Sequence, residues 1–214
     1  VKQFKGIMKN LLFAVALCAF TLPSFAQFEG TVDFVKTKGK INVNYKYKIK
    51  SGQIRIEEFG DDDKLDGIQL VNTNDGAIYA LSPERKMYME AKNKRPQRTA
   101  VVEVKKTKTT QTINGKSCVK WIVTCAEQER KIVYWVTKGN YDFFIPFLRT
   151  LNRAEKSAIY FLMVEGNKDY FPMLAEEYNS DGLLISKLEA KDLSSKKLAQ
   201  TNFDIPEGYK KFER

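Results

Sequence analysis

The sequence predicts an α+β fold, one large antiparallel sheet of roughly ten strands with helices from the 141–164 region gathered on one side. Three observations carry this. The stretch Lys116 to Thr137 holds two β-rich runs around one charged interruption and reads as a hairpin. Ile41 to Ile49 alternates strictly, with Ile41, Val43, Tyr45, Tyr47 and Ile49 on one face and Asn42, Asn44, Lys46 and Lys48 on the other. Phe144, Phe147, Leu148 and Leu151 recur at helical spacing.

The chain opens with Lys2, Lys5 and Lys9 ahead of an apolar run from Leu11 to Leu22, then Pro23-Ser24-Phe25-Ala26. This is the pattern of a secretory signal peptide, with cleavage expected before Gln27. A retained anchor helix is disfavoured because the run falls short of the roughly 18 apolar residues a span needs. A lipoprotein reading of Cys18 is disfavoured by bulky Leu17 before it. The sequence from Met8 already makes a complete leader, so either Val1 or Met8 fits the start. Residues 1–26 are thus read as a cleaved signal peptide and 27–214 as one domain. Subtracting the three leader lysines from 36 basic residues leaves 33 against 26 acidic, a charge of +7 over 188 residues. A chain of that size can bury a core without staples.

Phe28 to Val35 is expected as the first strand, and Ser51-Gly52 turns the alternating strand into Gln53 to Phe59. After the polar loop Gly60 to Lys64, strands are expected at Gly67 to Asn72, Ala77 to Leu81 and Lys86 to Glu90. Asn74-Asp75-Gly76 and Ser82-Pro83-Glu84 separate them with residues that tolerate left-handed φ or preset a turn corner. A basic loop with Pro96 leads to a β-branched run, Thr99 to Thr112, and Asn114-Gly115 turns that run into the central hairpin. If the central turn is placed on Gln128, Trp121 lies opposite Trp135 and Val123 opposite Val133, and both tryptophans face the core. Cys118 and Cys125 fall on opposite faces of one strand, about 23 Å apart at about 3.3 Å per residue, and are expected to be free, buried thiols.

Pro146 is compatible with a helix only near its first turn, so the helix is expected to begin at Phe144 or Ile145. The apolar run Ala158 to Val164 fits a second short helix or a strand, with the helix preferred. Phe171 to Tyr178 and Leu183 to Leu193 make a last hairpin about Asn179-Ser180-Asp181-Gly182.

Thr112-Ile113-Asn114-Gly115-Lys116-Ser117-Cys118, Tyr134-Trp135-Val136-Thr137, Phe171-Pro172-Met173 and Phe203-Asp204-Ile205-Pro206-Glu207-Gly208-Tyr209 together resemble a family of secreted Gram-negative proteins of unassigned function. That family is related in fold to the LolA/LolB-type lipoprotein carriers. The resemblance implies a strongly curved, unclosed antiparallel barrel with helices across its open side as a lid, and space for acyl chains beneath. It brings no catalytic motif.

The chain has no histidine, which removes histidine-based triads and most zinc sites. Asp61, Asp62, Asp63 and Asp66 hint at calcium, yet Leu65 and Asp66 stand where an EF-hand loop needs an oxygen ligand and a glycine. No phosphate loop or nucleophile elbow is present, so no enzyme, metal or cofactor is expected. Lys46, Lys48 and Lys50 share one strand face, either as a solvated surface or as a contact for anionic lipid head groups or surface glycans. Nucleic acid is disfavoured by the export signal. The expected function is a periplasmic or secreted protein that binds a lipid or lipid-anchored partner in an apolar cavity lined by Tyr45, Tyr47, Trp121, Trp135, Phe144, Phe147 and Leu151. The alternative is an envelope adaptor that binds another protein through its sheet edge or basic face.

Overall fold

The structure, a computed structural model, describes residues 27–60, 62–91 and 95–213. The expected leader and its cleavage site before Gln27 lie at and before the edge of the described residues. Twelve strands form one sheet: β1 (Gly30–Lys38), β2 (Ile41–Lys50), β3 (Gln53–Phe59), β4 (Leu65–Asn72), β5 (Ile78–Ser82), β6 (Met87–Glu90), β7 (Glu103–Ile113), β8 (Lys116–Cys125), β9 (Arg130–Lys138), β10 (Tyr170–Tyr178), β11 (Leu184–Ser195) and β12 (Lys210–Lys211). Their order is β12-β6-β5-β4-β3-β2-β1-β11-β10-β9-β8-β7. Two antiparallel meanders therefore meet where β1 pairs with β11, and the sheet stays open at β7 and β12. Every pairing is antiparallel except the two-residue β12, which adds parallel to β6 and is the one strand of the twelve that the sequence reading did not name.

Helices α1 (Phe144–Leu151) and α2 (Lys156–Leu162) come from the insertion between β9 and β10. Pro146 is the third residue of α1, where its missing N–H costs no intrahelical bond. Asn152 ends the helix in the left-handed conformation at φ 43°, and its N–H bonds the Leu148 carbonyl. Its buried amide also binds the strap between β6 and β7. The Nδ2 donates to the carbonyls of Arg95 and Pro96 at 3.2 and 3.0 Å, and Oδ1 accepts the Arg98 N–H at 3.3 Å. Gln97 Nε2 donates to the Arg149 carbonyl at 2.8 Å. The basic loop of the sequence is thus a strap fixed to the end of α1.

The helices are core, not surface. Phe143 and Phe147 are 2% exposed and Tyr160 and Phe161 are fully buried. Phe171 on β10 is the hub, its ring centroid 4.9 Å from Phe144, 5.1 Å from Tyr141, 5.9 Å from Phe34 and 6.2 Å from Phe143. Tyr134 is wholly buried on β9 and donates its hydroxyl to the Ser157 carbonyl of α2 at 2.7 Å, which satisfies the one polar atom of a buried ring.

The central hairpin differs from the expected register by one residue. Trp121 faces Tyr134, Val123 faces Ile132 and Lys120 faces Trp135. The loop is the four residues Ala126 to Glu129, closed by the Glu129 N–H to the Ala126 carbonyl at 3.1 Å with Glu129 at φ 51°. A one-residue change in loop length reverses every side chain of the second strand. Ile132, Tyr134 and Val136 point inward with Trp121, whereas Trp135 is half-exposed with Lys120 Nζ 5.7 Å from its ring centroid. Ile132 to Val136 is apolar at both parities, so hydrophobic pattern alone could not choose between the registers. Cys118 and Cys125 are free and buried, as the strand geometry predicts.

The two tryptophans therefore separate in their effect on stability. Trp121→Ala is expected to cost about 3–5 kcal/mol in denaturant unfolding, the usual loss for a deleted buried aromatic. Trp135→Ala is expected to cost clearly less, because its ring is only partly buried. Equal large losses would restore the register that turns both rings inward.

Candidate functional site

The helices do not fill the whole concave side. A cleft of about 570 Å³ remains beside α1, between β2, the start of β11 and the connection that joins the two helices. Strand alternation sends Tyr45 and Tyr47 into it from β2. The turn of α1 that carries Phe147, Leu148 and Leu151 forms a second wall, and Ala175 on β10 and Leu188 on β11 a third. Tyr47 sits edge-on to Phe147, centroids 5.7 Å apart, and to Phe34 at 4.9 Å.

The rim is charged and mostly basic. Lys36, Lys38, Arg130, Arg153, Lys156 and Lys187 line the cleft against two carboxylates, Glu155 and Glu177. Lys36 Nζ lies 3.4 Å from Glu155, Arg130 Nε lies 3.5 Å from Glu177, and Lys187 Nζ lies 2.9 Å from Glu189. Arg153 donates to Gln69 Oε1 at 2.6 Å and stands 3.9 Å from Glu155. Lys156 donates to Gln128. These partly exposed pairs add little to stability, but they hold a belt of cations around an apolar floor.

Burial pushes the Tyr47 phenol up to about 12; the Arg153 cation offsets part of the rise, and Tyr45, Glu155 and Glu58 add to it. Tyr45 is raised for the same reason, burial first and then Glu58. Both rings therefore present neutral hydroxyls to the cleft at any physiological pH.

Of the residues expected to line a cavity, Tyr45, Tyr47, Phe147 and Leu151 do so. Phe144 is packed behind them on Phe171 and Phe161. Trp121 is buried in the core, stacked on Phe161 at 6.2 Å and tilted against Tyr170 at 4.7 Å, and Trp135 is on the other face of the sheet because of the hairpin register. Leu188, Ala175, Arg130 and the Arg153–Ala158 connection complete the cleft without a local signal, since tertiary packing alone brings them there.

Lys46, Lys48 and Lys50 meet carboxylates on the neighbouring strands and the segment before β1: Asp33 at 3.7 Å, Glu57 at 2.9 Å and Glu29 at 3.6 Å. The segment after β11 lies across this face. The Leu198 N–H donates to Glu29 at 2.6 Å, Lys50 donates to the Leu198 carbonyl and Arg55 to the Asn202 carbonyl. Burial alone would raise the Glu57 carboxyl, but hydrogen bonds from Lys48 and Arg55 more than offset it and hold the group below its usual range. Among the described residues no group of three or more Cys, Asp or Glu side chains is placed to hold a metal ion. No helix among them is long and apolar enough to cross a membrane.

The phenols supply a pH test. Burial raises Tyr47, Tyr134 and Tyr160 above 10.0, so the folded state holds protons that the unfolded chain releases first. Their contribution is intact below about pH 10 and is lost as pH rises from about 10 through about 12. Tyrosinate absorbance is expected to show these three rings silent until the protein unfolds. Smooth ionisation of all ten tyrosines near pH 10 in folded protein would contradict their burial.

Several solved structures share the architecture. An uncharacterized conserved protein from Thermus thermophilus aligns at a TM-score of 0.55 and 6% identity, over 86% of this chain and 89% of that one. MucB in the MucA/MucB complex of Pseudomonas aeruginosa aligns at 0.50 and 11% identity, over 81% of this chain and 54% of that chain, so this chain spans about half its length. A putative outer membrane lipoprotein-sorting protein domain from Vibrio parahaemolyticus aligns at 0.35 and 10% identity, over 85% and 91%. At these identities the likeness is one of fold alone. No curated protein matches the sequence. Residues 28–209, nearly the whole of the described sheet, match the family described as Domain of unknown function (DUF4412), and the chain belongs to it.

Proposed function

We propose that the protein is a non-enzymatic binding protein, exported to the periplasm or beyond, that holds a lipid or the acyl part of a lipid-anchored partner in the cleft beside α1. The observation that carries the reading is the cleft itself. Its volume of about 570 Å³ falls within the roughly 300–1,000 Å³ typical of small-molecule sites, and its floor of tyrosine, phenylalanine and leucine offers burial without directional bonds. Tyr45, Tyr47, Phe147 and Leu151 would grip the apolar chain, and the cationic rim would stand at its polar end. The aromatic core fills the space directly beneath the helices, so the ligand is placed at their margin.

A second reading has its own observation. Much of the half-barrel is filled by the protein's own rings, and a structural neighbour of similar fold was solved as the MucA/MucB complex. On that reading the protein is an envelope adaptor that binds another protein through its sheet edge or its basic face, Lys46, Lys48 and Lys50 included. The pairing of those three lysines with carboxylates favours the sheet edge over that face.

Leu188→Trp tests the first reading because it adds bulk to a partly buried wall of the cleft. Native mass spectrometry of protein purified from its own envelope is expected to show a lipid-sized adduct on the wild type. The adduct should be absent from Leu188→Trp, and the melting temperatures should agree to within a few degrees. A wild type free of lipid that carries a stoichiometric protein would replace the carrier reading with the adaptor.

A further inference from the structure

We infer that the two hairpin tips beside the cleft, β1–β2 and β10–β11, form a docking surface for an anionic lipid bilayer, through which the cleft is loaded and emptied. The inference rests on the cleft being a lipid site, but its observations are separate. Lys38 is paired on one side with Ile41 of β2 and on the other with Ser186 of β11. Neighbouring strands are about 4.8 Å apart, so the tips are adjacent at one end of the sheet. Lys38, Ile185 and Ser186 also line the cleft, which therefore reaches that end.

The tips carry apolar side chains that folding does not use. Ile41 is 66% exposed, Leu183 64% and Leu184 52%. Turn chemistry accounts for their neighbours. Asn179 accepts the Leu183 N–H at 2.8 Å, Gly182 takes φ 77°, and Gly39 takes φ 61°. Nothing in either turn requires a large apolar residue. Ile41 continues the row of Val43, Tyr45 and Tyr47 beyond the cleft, so an apolar track runs from the floor to the tip. Beside the apolar tips stand Lys38 and Lys40, both exposed and in no ion pair among the described residues. Exposed leucine and isoleucine flanked by free lysines match the membrane interface, where apolar tips enter the acyl boundary and ammonium groups meet anionic head groups. The next tips along the same end are acidic, Asp62 and Asp63 after β3 and Glu127 and Glu129 after β8, all exposed. They repel an anionic surface and confine contact to the two central hairpins.

Co-sedimentation of the exported protein with vesicles tests this. Vesicles of equal parts phosphatidylglycerol and phosphatidylcholine are expected to bind the wild type, and pure phosphatidylcholine is not. Reversing both free lysines, Lys38→Glu with Lys40→Glu, should weaken binding about tenfold or more. The triple variant Ile41→Ser, Leu183→Ser, Leu184→Ser should lose it while keeping the melting temperature of the wild type, because all three side chains are exposed. Leu188→Trp should still dock, which separates failure of the surface from failure of the cleft. A wild type that ignores anionic vesicles, or a triple variant that binds them as well as the wild type, would overturn the inference.

Discussion

An open, curved sheet leaves one apolar face that nothing in the sheet itself can cover, and the rest of this structure follows from how that face is buried. A closed barrel would fill its interior from its own strands. Here the β7 and β12 ends stay apart, and the cover comes from one insertion between β9 and β10. Its rings meet those of the sheet around Phe171, which touches Tyr141, Phe143 and Phe144 from the insertion and Phe34 from β1. Tyr134 ties the same strands to α2 through its hydroxyl, and Asn152 ties α1 to the strap that crosses from β6 to β7. Local bonds thus fix the cover at both helices, while the aromatic cluster supplies the area that stabilises it.

The cleft exists because that cover ends before the sheet does. α1 reaches as far as Tyr47 with Phe147, and beyond this contact β2 and the start of β11 continue with no helix over them. The burial pattern of β2 records the boundary: Ile49 is fully buried, Tyr47 and Tyr45 are intermediate, and Ile41 is exposed on the same face. One row of side chains passes from core to cleft floor to free tip. The proposed function therefore rests on a gradient of burial along a strand, and the neutral, burial-raised phenols of Tyr45 and Tyr47 would suit a site for apolar matter.

Much of this was legible in residues whose local chemistry has one solution. The alternation of β2 named Tyr45 and Tyr47 as facing inward. Asn114-Gly115 specified a tight hairpin, and both residues take positive φ, 46° and 75°. Helical spacing with Pro146 placed the start of α1 at Phe144 or Ile145, and it begins at Phe144. What stayed hidden depended on distant partners. The β9 run Ile132 to Val136 is apolar at every position, so its register came from the length of the loop at Ala126 to Glu129 and sent Trp135 outward. The lysines of β2 looked free because Glu29, Asp33 and Glu57 reach them only once the strands pair. Leu188 and Arg153 enter the cleft by tertiary packing alone, and the two-residue β12 is too short to carry a pattern.

The claim at the centre of this account is that an apolar chain lies along β2 beside α1. Nuclear magnetic resonance with a spin-labelled stearate measures it directly, through paramagnetic broadening of the backbone amides. The account predicts broadening that starts at Tyr45, Tyr47, Leu151 and Leu188 and spares the outer-face neighbours Lys120 and Trp135. Broadening scattered over the outer face, or none at the cleft with stearate in excess, would contradict it.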